Sequence, residues 1–519
     1  MLDYLRRLAT TGAAYTAASI VSKLFAVALL PLYTSYLATA DYGAAEVMFT
    51  TVVVASIFVR LGVIEALLRF FYLPEVDGDE VVRTGFGAIF WASTLGALIV
   101  LPFAEPISRA LLDTDGAADL VRISIGGLWI LTLYEYLVTL FRLVERARAY
   151  FTYTILHVLV AVALTVVLVV GFGEGARGLL LGSYLSGVPF VLWLAWSERR
   201  RLSLRPDRAL LRRMVRFGLP TMPAEVSLYS LQFIDRIIIV RSIGLAEAGL
   251  YALAFKFSQA IQIFVRGFQL AWPPLAYSIA DDEEARRTYA VVLTAFTALC
   301  GFLVVGLWLE ARWIVRLLAD PSYFEAYEVV GPLALGAALY GVYLAQLVIL
   351  GRTGRTERNL PATLAGVLVN VALNLLLVPE YGIVGAGVAL IVSYVVVIAL
   401  MYASTQRLFP IPWQWGRLAV ITFAGAALVV VGELALPDEG ASGLLLRAAL
   451  WVAYLPLIWL GVVRESERAA VREALREGDL SGRFAGLRSG EGGAAATEEE
   501  ARAAALYEAE ARDQDRGGL

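Results

Sequence analysis

The sequence predicts an all-α polytopic membrane protein. It has about fourteen transmembrane helices, arranged as two six-helix lobes in parallel repeat with two further C-terminal helices. Three observations carry this fold class. The 519-residue chain is 59% hydrophobic and only 17% charged, with a mean hydropathy of +0.71, whereas a soluble chain carries about a quarter charged residues. Apolar stretches of about twenty residues, each able to cross a hydrocarbon core of about 30 Å, recur along it. The arginines gather in alternate loops. The short alternating segments of about ten residues that mark a transmembrane barrel are absent.

In order, the apolar runs fall at 12–38, 44–72, 83–104, 118–140, 150–171, 177–197, 216–241, 247–273, 288–309, 327–350, 360–378, 383–403, 417–436 and 443–463. They define an N-lobe (1–197), an Arg-rich connector (198–215), a C-lobe (216–403), two extra spans (404–463) and a tail (464–519). The first run is too long and too polar for a signal peptide and is expected to stay as a membrane helix. The tail is rich in Ala, Glu, Arg and Gly, a composition that predicts disorder apart from a short helix at 466–476.

The connector is the most basic loop, with Arg199, Arg200, Arg201, Arg205, Arg208, Arg212, Arg213 and Arg216. Arg6 and Arg7, then Arg142, Arg146 and Arg148, then Arg286 and Arg287, then Arg352, Arg355 and Arg358, then Arg407 fall on the same side of an alternating topology. The other side holds a scatter: Arg109, Arg177, Arg241, Arg312 and Arg316. This bias predicts a multi-pass protein of the cell (inner or plasma) membrane with both termini in the cytoplasm. The loops on the outer side are short, so no extracellular domain is expected.

An internal repeat accompanies the topology. The run Val162–Val169 is echoed by Val371–Val378, Ser183-Tyr184 by Ser393-Tyr394, and Asp41-Tyr42-Gly43-Ala44 by Glu247-Ala248-Gly249-Leu250-Tyr251. An offset of six spans leaves both copies facing the same way, related by an axis along the membrane normal, with a cavity between them.

Charges at membrane depth need a cavity, a partner or a short reach to the interface. In the eighth span, Gln259, Gln262, Arg266 and Gln269 share a helical stripe with Lys256 at its edge, opposite a face of Phe, Ile, Val and Leu. Such a stripe either lines a wet cavity or glues helices together. Lys23 lies near the middle of the first span, and Arg60 lies deep in the second, on a face apart from a Glu65–Arg69 pair expected at i,i+4. Glu135 shares a face with Thr139 and Arg142, where an internal pair across two turns, through water, is the plain expectation. Pro220 and Pro223 interrupt the seventh span just before Glu225, a setting suited to a coupling cation, so Glu225 and Glu135 are the candidate sites for Na+ or H+ coupling. Asp235-Arg236 reads as an interfacial ion pair. Asn370, Asn374, Tyr340, Tyr343 and Gln346 suit either helix–helix hydrogen bonds or ligand contacts. One cysteine (Cys300) and one histidine (His157) exclude an intramolecular disulfide or a Cys/His metal site, and both read as packing residues. The acidic cluster Asp281-Asp282-Glu283-Glu284 reads as a solvated turn. Lys23, Arg60, Lys256 and Arg266 outweigh Glu135 and Glu225, so the cavity is expected to be electropositive and its cargo anionic, such as a pyrophosphate.

Short motifs tie the chain to a known family. Pro31-Leu32-Tyr33 and Asp41-Tyr42-Gly43 stand in the first hairpin, and Phe217-Gly218-Leu219-Pro220 opens the second half. Asp235-Arg236-Ile237-Ile238-Ile239, Gly244 and Ala248-Gly249-Leu250-Tyr251-Ala252 follow. In these the chain resembles, over roughly 1–403, the prokaryotic polysaccharide-biosynthesis flippases. These are the O-antigen and oligosaccharide-lipid translocases of the multidrug/oligosaccharidyl-lipid/polysaccharide exporter superfamily. The resemblance implies a V-shaped pair of lobes, alternating access, a polyprenyl-pyrophosphate-linked glycan as cargo and coupling to a cation gradient without any other cofactor. It also implies Lys23, Lys256 and Arg266 as the residues that handle the anion. Expected partners are the lipid-linked glycan, membrane lipids, a polysaccharide polymerase and glycosyltransferases, and no nucleic acid.

The rival readings are a cation-coupled multidrug/toxin antiporter of the same fold, a lipid II flippase, whose extra helices the last two spans match, and a membrane glycosyltransferase. The antiporter would place an acid where Lys23 stands. The glycosyltransferase would need a large outer loop or a catalytic domain. No enzymatic site is expected.

Overall fold

The computed structural model describes residues 21–144, 146–465 and 468, and no strand occurs among them. The start of the first span, Arg6 and Arg7, and almost all of the tail, with its expected helix, lie outside the described residues. The N-terminal half comprises α1 Val21–Tyr36, α2 Thr39–Arg60, α3 Val63–Phe70, α4 Gly78–Val100, α5 Ala104–Leu112, α6 Ala118–Leu143, α7 Ala147–Val166, α8 Gly175–Leu185 and α9 Gly187–Ser197. The second half comprises α10 Arg208–Gly218, α11 Met222–Ile243, α12 Leu245–Ser278, α13 Asp282–Leu309, α14 Ala311–Leu318, α15 Tyr327–Thr353 and α16 Asn359–Leu408, and α17 Trp415–Ala435 and α18 Gly440–Gly461 follow.

Eleven helices among the described residues are long and apolar enough to cross a membrane. This differs from the expected fourteen for three local reasons. α1 is described only from Val21. α11 carries Glu225, Asp235, Arg236 and Arg241. α16 runs for 50 residues but leaves helical geometry at Gly382 (φ 57, ψ −144), so two predicted spans form one element.

Local chemistry sets the helix ends. Asp77, Asp207 and Asp281 cap α4, α10 and α13 by accepting from the backbone N–H of Asp79, Leu210 and Glu284. The acidic cluster at 281–284 is therefore the cap and first turn of α13, where negative charge offsets the helix dipole. Leu61 and Gly62 both take positive φ (50 and 67) and split the second predicted span into α2 and α3. Glu65 and Arg69 both stand in α3, but the expected pair does not form among the described residues, because Arg69 lies over the Phe217 ring, 4.5 Å from its centroid. Pro220 sits in a 3-10 turn, Leu219–Thr221, between α10 and α11, where its missing N–H costs little.

The halves repeat each other's contacts. α2 packs on α6 as α12 packs on α15, and α7 packs on α8. Gly178 rests on the Leu168 carbonyl and Gly385 on that of Leu377, which are equivalent positions of the repeated octapeptide. The main contact between the halves runs along α2 and α12. At its start Gly43 and Gly249, the glycines of the repeated motif, approach so closely that a Cβ on either would collide with the backbone of the other helix. Gly62 and Gly218 make a similar contact at the other end of α2.

The connector lies against α4. Arg201 Nε is 2.7 Å from Asp79 Oδ1, Trp91 Nε1 donates to the Leu204 carbonyl at 2.8 Å, and the Asp207 N–H donates to Thr84 Oγ1 at 3.2 Å. α17 and α18 pack on α13, with Trp451 Nε1 donating to Phe302 O at 2.9 Å and Tyr454 Oη to Ala298 O at 3.0 Å. Buried Arg447 joins Glu433 at 2.9 Å and Asp438 at 2.7 Å, and Arg312 reaches Glu433 at 3.2 Å. This ties the last two helices to α14.

The glycine contact predicts a simple stability result. Gly249→Leu places a side chain where a Cβ already has no room and should cost about 1–3 kcal/mol, seen as a fall of several degrees in the melting temperature of the detergent-solubilised protein. Gly267→Ala, in the same helix with open space around it, should leave the melting temperature unchanged or raise it. Equal effects of the two substitutions would contradict the packing described.

Candidate functional site

The polar stripe of α12 recurs every three to four residues, so Gln259, Gln262, Arg266 and Gln269 project to one side. There they line a cavity of about 340 Å³ with Lys23 of α1, Glu225, Tyr229 and Phe233 of α11, Phe255 and Val265 of α12, and Tyr340 of α15. Arg266 donates to Gln269 Oε1 at 3.2 Å and is near enough to Lys23 to repel it. Among the described residues neither Lys23 nor Arg266 has an ion-pair partner. A crevice of about 700 Å³ shares Arg266 and Gln269 with this cavity and continues past Leu270, Leu344 and Leu347 to Thr356 and Asn359, toward the end of the protein that carries the connector.

Two of the four expected cations stand elsewhere. Lys256 does not line this cavity. Its Nζ lies 2.5 Å from Glu46 Oε1 and 5.3 Å from the centroid of the Tyr42 ring. Arg236 approaches the other oxygen of Glu46 at 3.4 Å and donates to Thr50 Oγ1 at 2.5 Å. Its neighbour Asp235 is fully buried and accepts from Tyr251 Oη at 2.6 Å and Asn374 Nδ2 at 2.9 Å. Asp235-Arg236 is thus a pair of core residues with separate partners, not an interfacial ion pair. The physical reason is the close α2–α12 contact, which brings an acid of the first half between two cations of the second. Glu46 is the residue that sequence reasoning missed. Its signal was available: an unpartnered acid inside a span, in a chain whose seventh and eighth spans carry surplus cations.

Arg60 is likewise occupied. Its guanidinium lies 3.0 Å from Glu225 of α11 and 3.5 Å from Glu135 of α6. Glu135 therefore turns to Arg60 and not to Arg142, which is exposed, while Thr139 Oγ1 bonds the Glu135 carbonyl at 2.7 Å. Of the remaining candidates, Tyr343 and His157 form helix–helix bonds, whereas Gln346 is fully buried with no hydrogen-bond partner among the described residues. Tyr343 donates to Asn359 at 3.0 Å. His157 Nε2 lies 3.1 Å from Ser186 Oγ, with its ring 4.5 Å from that of Tyr134. Cys300 is buried. No group of three or more His, Cys, Asp or Glu suited to a metal occurs among the described residues.

Comparison with known proteins agrees with this architecture. Residues 36–328 match the family model described as polysaccharide biosynthesis protein. Over 327 residues the chain is 27% identical to the succinoglycan biosynthesis transport protein ExoT of Rhizobium meliloti (strain 1021), a match that takes in 60% of this chain and 62% of that relative's length. Among solved structures, a multidrug resistance MATE family transporter of the MOP superfamily in its inward-facing conformation superposes with a TM-score of 0.62 at 16% identity, covering 75% of this chain and 95% of its own. The lipid II flippase MurJ in an inward closed conformation gives 0.60 at 12% identity, covering 87% and 98%. At these identities the likeness is one of fold, and it bears out the V-shaped helical fold expected from the sequence.

The Glu46 cluster makes a stability prediction of its own. Glu46→Ala strands Lys256 and Arg236 without their acid and should cost about 3–5 kcal/mol, the usual penalty for breaking a buried pair from one side. Adding Lys256→Met should recover part of that loss, because one of the stranded charges goes with it. Thermal unfolding in detergent measures both. A double variant as unstable as the sum of the two single variants would contradict the pairing.

Proposed function

The chain belongs to the polysaccharide biosynthesis protein family, and on that premise we propose that this multi-pass membrane transporter flips a polyprenyl-pyrophosphate-linked oligosaccharide from the cytoplasmic to the outer leaflet by alternating access. The observation that carries the reading is the pair of cations, Lys23 and Arg266, which have no ion-pair partner among the described residues, in a cavity whose one acid, Glu225, is held by Arg60. A cavity of this charge, with low-dielectric walls, concentrates anions. Arginine suits phosphate oxygens, and Gln259, Gln262, Gln269, Tyr229 and Tyr340 supply donors and acceptors for sugar hydroxyls.

In this reading the connector end is cytoplasmic, both termini lie on that side of the inner membrane, and the crevice past Leu270 admits the head group. The contacts of α2 with α11 and α12 serve as latches. Arg60–Glu225 near the connector end and Glu46 with Lys256 and Arg236 at the other release in turn as the lobes rock. Glu225 and Glu135 are the acids that would take up Na+ or H+ when Arg60 leaves them. Lys256 and Arg60 then act on the motion of the lobes, while Lys23 and Arg266 meet the cargo. A cationic drug as cargo is disfavoured by the same two charges. A polymerase and glycosyltransferases would act before and after this step.

Reconstituted vesicles carrying a fluorescent lipid-linked oligosaccharide test the assignment. Lys23→Gln and Arg266→Gln should each slow translocation about tenfold or more, the loss of one charge-assisted hydrogen bond of about 1.5–3 kcal/mol. Unchanged rates in both variants would overturn it. For orientation, a cysteine at the exposed Arg200 in a Cys300→Ser background should react with an impermeant maleimide in inside-out vesicles and not in right-side-out ones, and the reverse pattern would invert the proposed direction.

A further inference from the structure

Beside the polar cavity, and sharing one wall with it, lies a second groove of about 330 Å³ between α2 and α11. Its lining includes Val54, Ala55 and Phe58 of α2, Ile234 and Ile237 of α11, and Leu111 of α5. The wall is Phe233, which lines both spaces. The ring is held in a small aromatic stack, 5.9 Å from Tyr229 and 5.8 Å from Phe255, with the Arg236 guanidinium 5.2 Å from its centroid. The hydroxyls in the groove turn away from an apolar occupant where their bonds are defined. Thr51 donates to its own helix at Val47 O, and Thr50 accepts from Arg236. At the rim Phe58 is half exposed.

We propose that this groove holds the first part of the hydrocarbon chain of an amphipathic substrate whose anionic head occupies the Lys23–Arg266 cavity, with Phe233 as the partition between them. The inference rests on the anion-handling reading of that cavity and adds a second subsite to it. A molecule with a charged head and a long apolar tail needs a wet compartment and an oily one at adjacent positions. The two spaces provide this alongside residues 50–58, in the second half of α2. A free sugar phosphate would leave the groove empty, so the groove implies a lipid-linked anion and not a soluble one. The occupant is a hydrocarbon chain and not a protein helix, because the groove is too narrow for a helix about 10 Å across to enter between α2 and α11 while they remain in contact.

Two probes that share a head and differ in whether they carry a hydrocarbon tail separate the subsites: methyl pyrophosphate and undecaprenyl pyrophosphate, each titrated against the purified full chain in nanodiscs. The wild-type protein should bind the long probe at least about tenfold more tightly than the short one, since two extra buried methylenes already give that much. Ala55→Trp, which fills the groove, should abolish this preference while leaving the affinity for the short probe unchanged. Arg266→Gln should weaken both probes by a similar factor. If Ala55→Trp keeps the wild-type preference for the long probe, the groove assignment is wrong and the head-group site stands. If wild-type protein binds neither probe, or Arg266→Gln affects neither, the anion reading of the cavity fails and takes the groove with it. Ile237→Trp, from the facing helix, guards against a local folding effect at Ala55 and should give the same loss of chain-length preference.

Discussion

A charge inside a bilayer must be matched by an opposite charge or bathed in water, and the arrangement of this molecule follows from how that demand is met along α2. The helix carries Glu46 near one end and Arg60 near the other, about 21 Å apart at 1.5 Å per residue. Each meets opposite charge from the second half: Glu46 meets Lys256 and Arg236, and Arg60 meets Glu225. The close approach of Gly43 and Gly249 makes the first of these contacts possible, because short reach between backbones lets a glutamate carboxylate bridge two cations on neighbouring helices. Buried ion pairs add little net stability over apolar packing. What they specify here is register, since a shift of α2 by one turn would leave three cations and two acids unmatched in low dielectric.

With those charges cancelled, the remaining polarity gathers in one place. Lys23 and Arg266 face a cavity ringed by glutamine and tyrosine, and an apolar groove lies across a single phenylalanine ring from it. The site is therefore defined as much by which cations are neutralised as by which are present. A simple count of basic residues at membrane depth would overstate the positive potential of the cavity twofold, because Lys256 and Arg60 belong to the contacts that join the halves.

The same logic accounts for the last two helices. They have little polar surface to bury along their length, but their far ends carry Glu433, Asp438 and Arg447, which interlock with Arg312 on α14. Together with Trp451 and Tyr454 on α13 this fastens the pair to the second half, so that the two helices follow any motion of that half. The connector, in contrast, is fixed to α4 of the first half through Arg201 and Trp91 before the chain enters α10, so the link between halves is anchored on one side and leaves Arg199, Arg200, Arg205, Arg208 and Arg212 exposed.

Much of the fold was legible in the sequence because it rests on patterns that the chain carries locally. Hydrophobic length marks helices, prolines at 220 and 223 mark a break, and the repeated octapeptide and Asp-Tyr-Gly-Ala motif mark two copies of one arrangement. The stripe Gln259–Gln262–Arg266–Gln269 could be placed on one face of a helix for the same reason. Partner choice was a different matter. That Glu46 meets Lys256 and Arg236, that Glu135 turns to Arg60 across helices and not to Arg142 along its own, and that Asp235 is buried against Tyr251 and Asn374 depend on residues far apart in the chain. Helical periodicity gives the face on which a side chain stands but not what faces it. The sequence by itself determined the helices, the repeat and the presence of surplus positive charge within them. Only the packing of α2 against α11 and α12 decided which of those charges are cancelled and which two lack an ion-pair partner among the described residues, because electrostatic compensation acts through distances that no single helix contains.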